Sequence, residues 1–446
     1  MVLLKVPQIL VGMIGLLVYN DFRKIFPDLK NIILKKVVII GGGISGLCSA
    51  YYLVKEGYEV TLLEKKDLSE GASVVNAGYN TPRHIIPLAA PGMVNQGLKW
   101  MWKSTSPFYI KPRWDLEFFD WAWKFKKSST KAHVERSIPV LKEISLKSNT
   151  LYEEILETVD FDTHYRKDGL LTVFQTEKAK KTEIEKGKKI QSENLDVEVL
   201  SKNEVLDMQP VLDEKILGAV YYKCDAHSTP GDFINRFGDW LARNGVNLNF
   251  NEEVTELVKE GNNIIGVKTN STYYEADLFV LAAGSWSPQL AKKLGLNIPI
   301  QGGKGYSLDV FRETGITLPA ILAESKVAVT PMNGFTRFAG TMEFSGNNNI
   351  IRKERVRAIA RAAQNYYKNI ELTGKEMESA RSGLRPVSPD GLPFIGKTSH
   401  YDNLIIAAGH AMIGWSLGAI TGKLISQIAT NQKPLVNLDP FKPERF

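Results

Sequence analysis

VVIIGGGISG, the stretch from Val37 to Gly46, decides the fold of this chain. Its four β-branched residues are typical of a strand that is buried in a parallel sheet. In the G-x-G-x-x-G pattern that follows, Gly41 permits a tight turn, Gly43 lets a pyrophosphate approach the backbone, and Gly46 lets the next helix pack close to the strand. The stretch therefore predicts a βαβ unit that binds a dinucleotide.

The residues around the glycines complete this unit. The helix begins after the glycine turn, and its N-terminal N–H groups and positive dipole end favour a phosphate. A second strand, EVTLL, ends at Glu64, about twenty residues beyond the glycines, where a carboxylate accepts hydrogen bonds from ribose hydroxyls. This pattern alone does not separate FAD from NAD. The residues that we expect to bind the dinucleotide are Gly41, Gly43, Ile44, Ser45, Gly46, Glu64 and Lys65.

Length and composition narrow the class of protein. A chain of 446 residues exceeds what one hydrophobic core supports, so we expect at least two domains that share a cleft. The net charge of +7 suits an anionic cofactor, an acidic substrate or a membrane surface, and no block of like charge indicates nucleic acid. The two cysteines and six histidines show neither disulfide nor metal-ligand spacing, so no metal site is expected and the cytoplasm is the expected compartment.

The first 34 residues form an apolar extension. Its apolar run from Ile9 to Tyr19 is shorter than the roughly 20 residues that a spanning helix needs. No small-residue cleavage site follows it, so a signal peptide is not indicated. Three interpretations stay open: a helix that lies on a membrane, a helix packed on the rest of the protein, or an extension before the functional start. Contact with the inner face of a membrane is therefore one option for this protein.

An aromatic-rich stretch follows the dinucleotide unit at roughly helical spacing. We expect it to contribute mainly to the core or to a contact between domains. The alternative is an apolar surface near a membrane or an electron-acceptor site. Its members are Trp100, Met101, Trp102, Trp114, Phe118, Phe119, Trp121 and Trp123.

Five short motifs are spread over the rest of the chain. They are SVVNAG at 73–78, AAPG at 89–92, KGYS at 304–307, GLRP at 383–386 with PDGLP at 389–393, and GHAMIGW at 409–415. Each motif alone is modest, but their order and spacing are specific. From about Lys36 to the end, the chain resembles the FAD-dependent D-amino-acid oxidase superfamily, and within it the bacterial D-amino-acid dehydrogenase branch.

The resemblance implies a mixed α/β fold with two parts. A Rossmann-type FAD-binding domain is built from separated segments, and a substrate domain has a mainly antiparallel sheet. We assign residues 35–112, 196–292 and 378–446 to the FAD-binding domain and residues 113–195 and 293–377 to the substrate domain. A strand that ends at Ala283 and Gly284 is expected to place a glycine turn at the cofactor edge of the first sheet.

The resemblance also implies which residues hold FAD. Val254 would meet the adenine through its backbone, and a helix that opens at Gly414 would stabilise negative charge on the reduced flavin. Met412 stands where glycine oxidases have a second arginine, and no cysteine is present there to bond the flavin, so noncovalent FAD is implied. The residues expected along the flavin and its ribityl chain are Ser73, Asn76, Ala77, Gly78, Gly409, Gly414, Trp415 and Ser416.

For the substrate, the family uses the arginine that matches Arg385 to bind an amino-acid carboxylate. A guanidinium pairs with both carboxylate oxygens, which fixes orientation as well as charge. The alternative is that Arg385 only bridges two loops. Tyr306 is expected as a hydroxyl partner of the same carboxylate, and Arg337 is the next arginine to consider.

The implied reaction is oxidation of a D-amino acid by hydride transfer from Cα to flavin N5. The imine then hydrolyses to a 2-oxo acid and ammonia, and quinone or oxygen takes the electrons. We assign no catalytic base, because a neutral substrate amine does not need one. The alternatives are glycine, sarcosine or a cyclic imino acid such as D-proline or hydroxyproline as substrate, an NAD-dependent dehydrogenase, or a flavin-binding subunit without catalysis.

Overall fold

The structure of the protein is a computed structural model that describes residues 35–92 and 106–446. The apolar run at 9–19 and the aromatic residues at 100–102 lie outside the described residues, so the expectations for them stay predictions. In the part that is described, no helix combines the length and the hydropathy that crossing a bilayer would require.

The first sheet has the doubly wound arrangement that the glycine motif predicts. Its strands pair in parallel, except that the edge strand β19 runs antiparallel to β20. The sheet joins segments that are far apart in sequence, which confirms a nucleotide-binding domain built from separated pieces. In spatial order its strands are β19 (Phe394–Lys397), β20 (Leu404–Ala408), β13 (Leu278–Leu281), β1 (Lys36–Ile40), β2 (Glu59–Glu64) and β9 (Asn247–Phe250).

The second sheet has nine strands and is mainly antiparallel, as predicted. Two of its pairings are parallel, between β15 and β5 and between β17 and β4. In spatial order the strands are β18 (Arg381–Val387), β14 (Gln301–Val310), β17 (Phe335–Phe344), β16 (Val327–Met332), β15 (Ala320–Leu322), β5 (Leu170–Phe174), β7 (Gly218–Tyr222) and β6 (Val197–Ser201), with β4 (Phe108–Ile110) beside β17.

The helices and the smaller strands of the described residues surround these two sheets. The remaining strands are β3 (Tyr79–Asn80), β8 (Ala226–His227), β10 (Val254–Glu260), β11 (Asn263–Thr269) and β12 (Tyr273–Tyr274). The helices are α1 (Ile44–Lys55), α2 (Leu116–Ser128), α3 (Lys131–Thr158), α4 (Glu177–Gln191), α5 (Lys202–Met208), α6 (Pro230–Arg243), α7 (Ser287–Lys293), α8 (Lys353–Tyr366), α9 (Gly374–Glu378) and α10 (Gly418–Ala429).

Close packing at the glycine motif explains its residue types. Gly41 has φ of +114°, and a Cβ there would lie 2.5 Å from the carbonyl oxygen of Ala282 on the neighbouring strand. A Cβ on Gly46 would lie 1.9 Å from the carbonyl oxygen of Gly41. Gly41 must therefore lack a side chain for β1 to lie close to the end of β13, and Gly46 must lack one for helix α1 to sit against the end of β1.

The division of the chain into segments differs from sheet membership at four strands. Strand β4 lies in the segment 35–112, β6 and β7 lie in the segment 196–292, and β18 lies in the segment 378–446, yet all four pair into the second sheet. β7 pairs with β5, and β18 pairs with β14. These partners are distant in sequence, so local patterns do not reveal the pairing. The domain division itself stays a prediction.

The expectation that a helix opens at Gly414 is wrong. α10 begins at Gly418, and residues 411–417 form turns before it. The Ser416 side chain holds this segment by accepting a hydrogen bond from the Thr81 amide at 3.1 Å and donating one to the Tyr79 carbonyl at 3.2 Å. These bonds attach the turn before α10 to residues 79–81.

Replacing Gly46 with alanine should destabilise the fold. The added methyl collides with backbone that cannot move without separating α1 from β1, so we expect the free energy of unfolding to fall by about 3 kcal/mol or more. Urea denaturation followed by circular dichroism measures this change. Gly231→Ala is the control, because its Cβ would meet only Val74 at an ordinary 3.7 Å. Equal midpoints for Gly46→Ala and the wild type would contradict the packing account.

Candidate active site

A cavity of about 540 Å³ runs along the carboxyl edge of the first sheet. Its size lies in the range of small-molecule sites. The glycine turn, the end of β2 and the turn after β13 form its walls. The predicted cofactor residues that line it are Gly41, Gly43, Ile44, Ser45, Glu64, Lys65, Ser73, Asn76, Val254, Ala283, Gly284, Gly414 and Trp415.

The carboxylate of Glu64 is fixed at the end of β2 by backbone amides. Its Oε2 accepts a hydrogen bond from the Gly42 N–H at 2.8 Å, and its Oε1 accepts one from the Lys66 N–H at 3.1 Å. Because both oxygens have a second lone pair, the group can still accept bonds from hydroxyls in the cavity. This arrangement suits the ribose contact that the sequence predicts.

Lys65 and Trp286 form a contact at the same end of the cavity. The Lys65 ammonium lies 3.3 Å from the centroid of the Trp286 ring, and burial lowers the pKa of Lys65 below its usual value. The sequence analysis did not assign Trp286. Trp286 directly follows the glycine turn after β13, and this position could have indicated that it lines the cavity.

The N-terminus of α1 faces this cavity without an acid in its first turn. Gly43 is the N-cap and supplies no side-chain cap. The Ser73 hydroxyl accepts a hydrogen bond from the Ile44 N–H at 3.1 Å, which brings the SVVNAG loop to the helix end. N–H groups at a helix start favour an anion. The chemistry of this end of the cavity therefore fits a pyrophosphate.

Five predicted cofactor residues do not line this cavity, and their contact with FAD stays a prediction. Gly46 packs α1 on β1, and Gly78 lies where a Cβ would come within 2.3 Å of the Ser228 carbonyl oxygen. Gly409 packs on Phe394, and Ser416 holds the turn described above. Ala77 accepts a hydrogen bond from the Thr330 hydroxyl at 2.7 Å. These residues shape the loops that carry the wall residues.

Trp415 is both a wall residue and a core residue. Its side chain is buried, and the indole N–H donates to the Ser228 hydroxyl at 3.1 Å. Its ring packs edge-on against Phe233 at 5.6 Å between centroids. The neighbouring His410 is also buried, which lowers its pKa to about 4, so its imidazole is neutral near pH 7.

Arg337 fastens the SVVNAG loop to the second sheet. The buried guanidinium donates to both carboxylate oxygens of Asp309 at 2.7 and 2.9 Å. It also donates to the carbonyl oxygens of Val74 and Asn76, each at 2.7 Å. Asp309 accepts a further bond from Arg381. Because its donors are engaged, Arg337 is not available to a substrate carboxylate.

A second cavity of about 1230 Å³ adjoins the first. Six wall residues are common to both cavities: Ala72, Val75, Asn76, Gly383, Arg385 and Met412. The aromatic stretch contributes to the second cavity through the inner face of α2. Its apolar wall residues include Phe108, Ile110, Phe118, Trp121, Phe125, Met342 and Phe344.

Arg385 lies where the two cavities meet. Strand β18 pairs with β14, and the guanidinium lies over Gly305, where a Cβ would come within 2.3 Å of Nη1. Nη1 donates to the carbonyl oxygen of Thr341 at 2.9 Å. No Asp or Glu of the described residues forms an ion pair with it, and burial lowers the pKa of Arg385 to about 10. A desolvated cation with so few partners is costly and favours an anionic ligand.

Tyr306 lines the second cavity, but its hydroxyl is used elsewhere. It donates to Oε2 of Glu343 at 2.8 Å, and burial together with this carboxylate raises the pKa of Tyr306 above its usual value. Glu343 also lies 3.7 Å from the Lys304 ammonium and 3.3 Å from Arg352. The expectation that this hydroxyl binds the substrate carboxylate is not met by this geometry. Lys304, on β14, is a buried partner of Glu343.

Comparison with known proteins agrees with this fold and site. Residues 36–428 match the DAO family, described as FAD dependent oxidoreductase. The chain is 31% identical over 408 residues to a D-amino acid dehydrogenase of Helicobacter pylori, covering 90% of this chain and 96% of that protein. A D-amino acid dehydrogenase of Vibrio vulnificus is 30% identical over 406 residues, covering 89% of this chain and 96% of that protein.

Solved structures with the same fold include two amino-acid enzymes. Glycine oxidase from Geobacillus kaustophilus superposes with a TM-score of 0.72 at 21% identity, covering 92% of this chain and 99% of that one. L-proline dehydrogenase from P. horikoshii superposes with a TM-score of 0.68 at 19% identity, covering 93% of this chain and 98% of that one. The chain belongs to the DAO family of FAD-dependent oxidoreductases. The cofactor is therefore FAD, and the NAD-dependent alternative is discarded.

Replacing Glu64 with alanine should weaken FAD binding. Hydrogen bonds to a charged group contribute about 1.5–3 kcal/mol, so we expect a loss of affinity of roughly tenfold to a hundredfold. The fraction of purified protein that carries FAD, and titration of the apoprotein with FAD, measure this loss. Glu59→Ala, on an exposed position of the same strand, should bind FAD as the wild type does. Unchanged affinity in Glu64→Ala would discard the ribose assignment.

Proposed function

We propose that this protein is an FAD-dependent dehydrogenase that oxidises a D-amino acid to the 2-oxo acid and ammonia. The observation that carries the proposal is the Arg385 guanidinium, which lies between the cofactor cavity and an apolar cavity without a carboxylate partner among the described residues. The relatives named D-amino acid dehydrogenase support the choice of D-amino acids.

The residues of the two cavities have separate tasks in this proposal. The glycine turn, Glu64 and the SVVNAG loop hold FAD, which when bound accepts a hydride at N5 from the substrate Cα. Arg385 binds both oxygens of the substrate carboxylate through its planar fork, so the direction of the Cα–H bond is set. The apolar wall keeps water away from this ion pair and strengthens it. We assign no catalytic base.

The shape of the second cavity favours amino acids with an apolar side chain. A volume of about 1230 Å³ is far more than glycine or sarcosine would fill, and most of the wall residues are apolar, with charged residues such as Lys111, Lys178 and Lys186 among the others. Met412 belongs to the wall of both cavities and offers no second positive charge. Cyclic imino acids such as D-proline also fit this chemistry, so they remain the second candidate.

We further propose that FAD is bound noncovalently. Cys48 and Cys224 are free, and neither belongs to the wall of either cavity. A quinone or oxygen would accept the electrons. With a quinone as acceptor, the enzyme would work in contact with the inner face of a membrane. A non-catalytic flavin subunit would need no unpaired Arg385, so this residue favours an enzyme.

Replacing Arg385 with alanine should lower kcat/KM for the best D-amino acid roughly a hundredfold. The loss of a charge-assisted bidentate pair from a partly buried site costs on the order of 3 kcal/mol. Arg385→Lys should recover only part of this, because an ammonium lacks the planar fork. FAD occupancy should not change, and the exposed Arg361→Ala is the matched control. Near-normal kcat/KM in Arg385→Ala with FAD bound would mean that the carboxylate is held elsewhere.

Substrate preference tests the apolar cavity. With an artificial electron acceptor, we expect kcat/KM for D-leucine or D-phenylalanine to exceed that for glycine by tenfold or more, since a buried Leu or Phe side chain contributes about 1.5–3 kcal/mol. D-glutamate and the L-enantiomers should be poor substrates. A clear preference for glycine or sarcosine would refute the apolar side-chain site, and a preference for D-proline would select the second candidate.

A further inference from the structure

Helix α2 (Leu116–Ser128) is apolar on two opposite faces. On its inner face, Phe118 and Trp121 are buried and contribute to the wall of the second cavity. On its outer face, Leu116 is 74% exposed and Trp123 is 57% exposed, and Phe119, which is 45% exposed, also reaches the wall of the second cavity. The spacing of three and four residues places the outer three on one stripe. The inner face of α2 thus meets the expectation of a core contribution, whereas the outer face is an exposed apolar surface.

Trp114 extends this stripe just before the helix begins. It is 89% exposed, and its ring lies edge-on to Phe119 with 5.7 Å between the centroids. Single exposed apolar side chains are ordinary, whereas adjoining ones mark an interaction surface. We call the group Trp114, Leu116, Phe119 and Trp123 the outer stripe of α2.

The charged side chains around the outer stripe carry a net positive charge. Asp120 pairs with Lys124, and Glu117 pairs with Lys292, each at 2.6 Å. Lys126 and Lys127 lie 5.8 and 5.3 Å from the centroid of the Trp123 ring. Within residues 35–92 and 106–446, neither of these lysines forms an ion pair. The charges of Glu117 and Asp120 are thus neutralised by ion pairs. Lys126 and Lys127 remain beside the exposed ring of Trp123.

This combination identifies the kind of partner. Tryptophan and lysine together suit the boundary between water and lipid, where the ring enters the headgroup region and the ammonium meets an anionic headgroup. A second copy of the same face would bring like charges together. We propose that the outer stripe of α2, with Lys126 and Lys127, seats the protein on an anionic lipid surface.

The inference deepens the membrane contact proposed above and gives it a location. The inner face of the same helix is part of the wall of the cavity that ends at Arg385. A lipid-bound α2 would therefore bring this cavity next to the layer in which a lipophilic electron acceptor dissolves.

Vesicle binding by the full-length holoenzyme tests the proposal. We expect cosedimentation with vesicles of phosphatidylcholine and phosphatidylglycerol, weaker binding as salt increases, and little binding to phosphatidylcholine alone. The triple variant Trp114→Ser, Leu116→Ser, Trp123→Ser should lose this binding. Lys126→Gln with Lys127→Gln should weaken it about 25-fold, since each lysine near an anionic surface contributes about fivefold.

A matched control separates location from net charge. Lys188→Gln with Lys189→Gln removes the same charge from exposed positions of α4, and it should bind vesicles as the wild type does. If the α2 variants bind like the wild type, or if the wild type does not bind anionic vesicles, the proposal is overturned. It is also overturned if the stripe instead mediates self-association that the triple variant abolishes.

Activity with a soluble dye distinguishes this inference from the proposed function. All of these variants should oxidise D-amino acids with the dye at the wild-type rate, because the changed side chains do not line the cavities. Wild-type protein that binds anionic vesicles but turns over no amino acid would refute the proposed function alone. Turnover without vesicle binding would refute only the lipid surface.

Discussion

The site depends on one desolvated charge, the guanidinium of Arg385. Within residues 35–92 and 106–446 its hydrogen-bond partner is the backbone carbonyl of Thr341, and desolvation lowers its pKa. A partly buried cation without a counterion is costly until an anion joins it. The folded chain therefore carries this cost until a carboxylate enters, and part of the binding energy of the substrate is the relief of that cost. Gly305 is needed for the same reason, because any side chain there would displace the guanidinium.

The charge is useful only if it is held at a fixed place relative to the cofactor. Arg385 lies on the second sheet, whereas the dinucleotide motif lies on the first. Arg337 connects the two, because it binds Asp309 within the second sheet and the carbonyls of Val74 and Asn76 in the loop beside the glycine turn. Because the cofactor domain is assembled from distant segments, long-range hydrogen bonds such as these hold the SVVNAG loop against the second sheet.

Features that depend on contacts between residues close in the sequence could be predicted from the sequence. The crowding at Gly41 and Gly46 is local, so the βαβ unit could be read directly from the motif, and the resemblance placed Arg385 at the cavity. Long-range bonds decide the rest. The Ser416 side chain bonds to residues more than three hundred positions away in the turn before α10, which begins at Gly418, and the Tyr306 hydroxyl is directed to Glu343 on a neighbouring strand. The pairings of β4, β6, β7 and β18 could not be predicted for the same reason.

Ligand-induced stabilisation measures the central claim most directly. The holoenzyme is heated with 4-methylpentanoate, which has the carboxylate and side chain of leucine but no amino group, or with its uncharged amide. We predict that the carboxylate raises Tm, by the equivalent of about 2.7 kcal/mol at a hundredfold excess over Kd, and that the amide does not. In Arg385→Met the carboxylate should lose its effect. An equal rise in Tm for that variant, or for the amide with the wild type, would contradict the account.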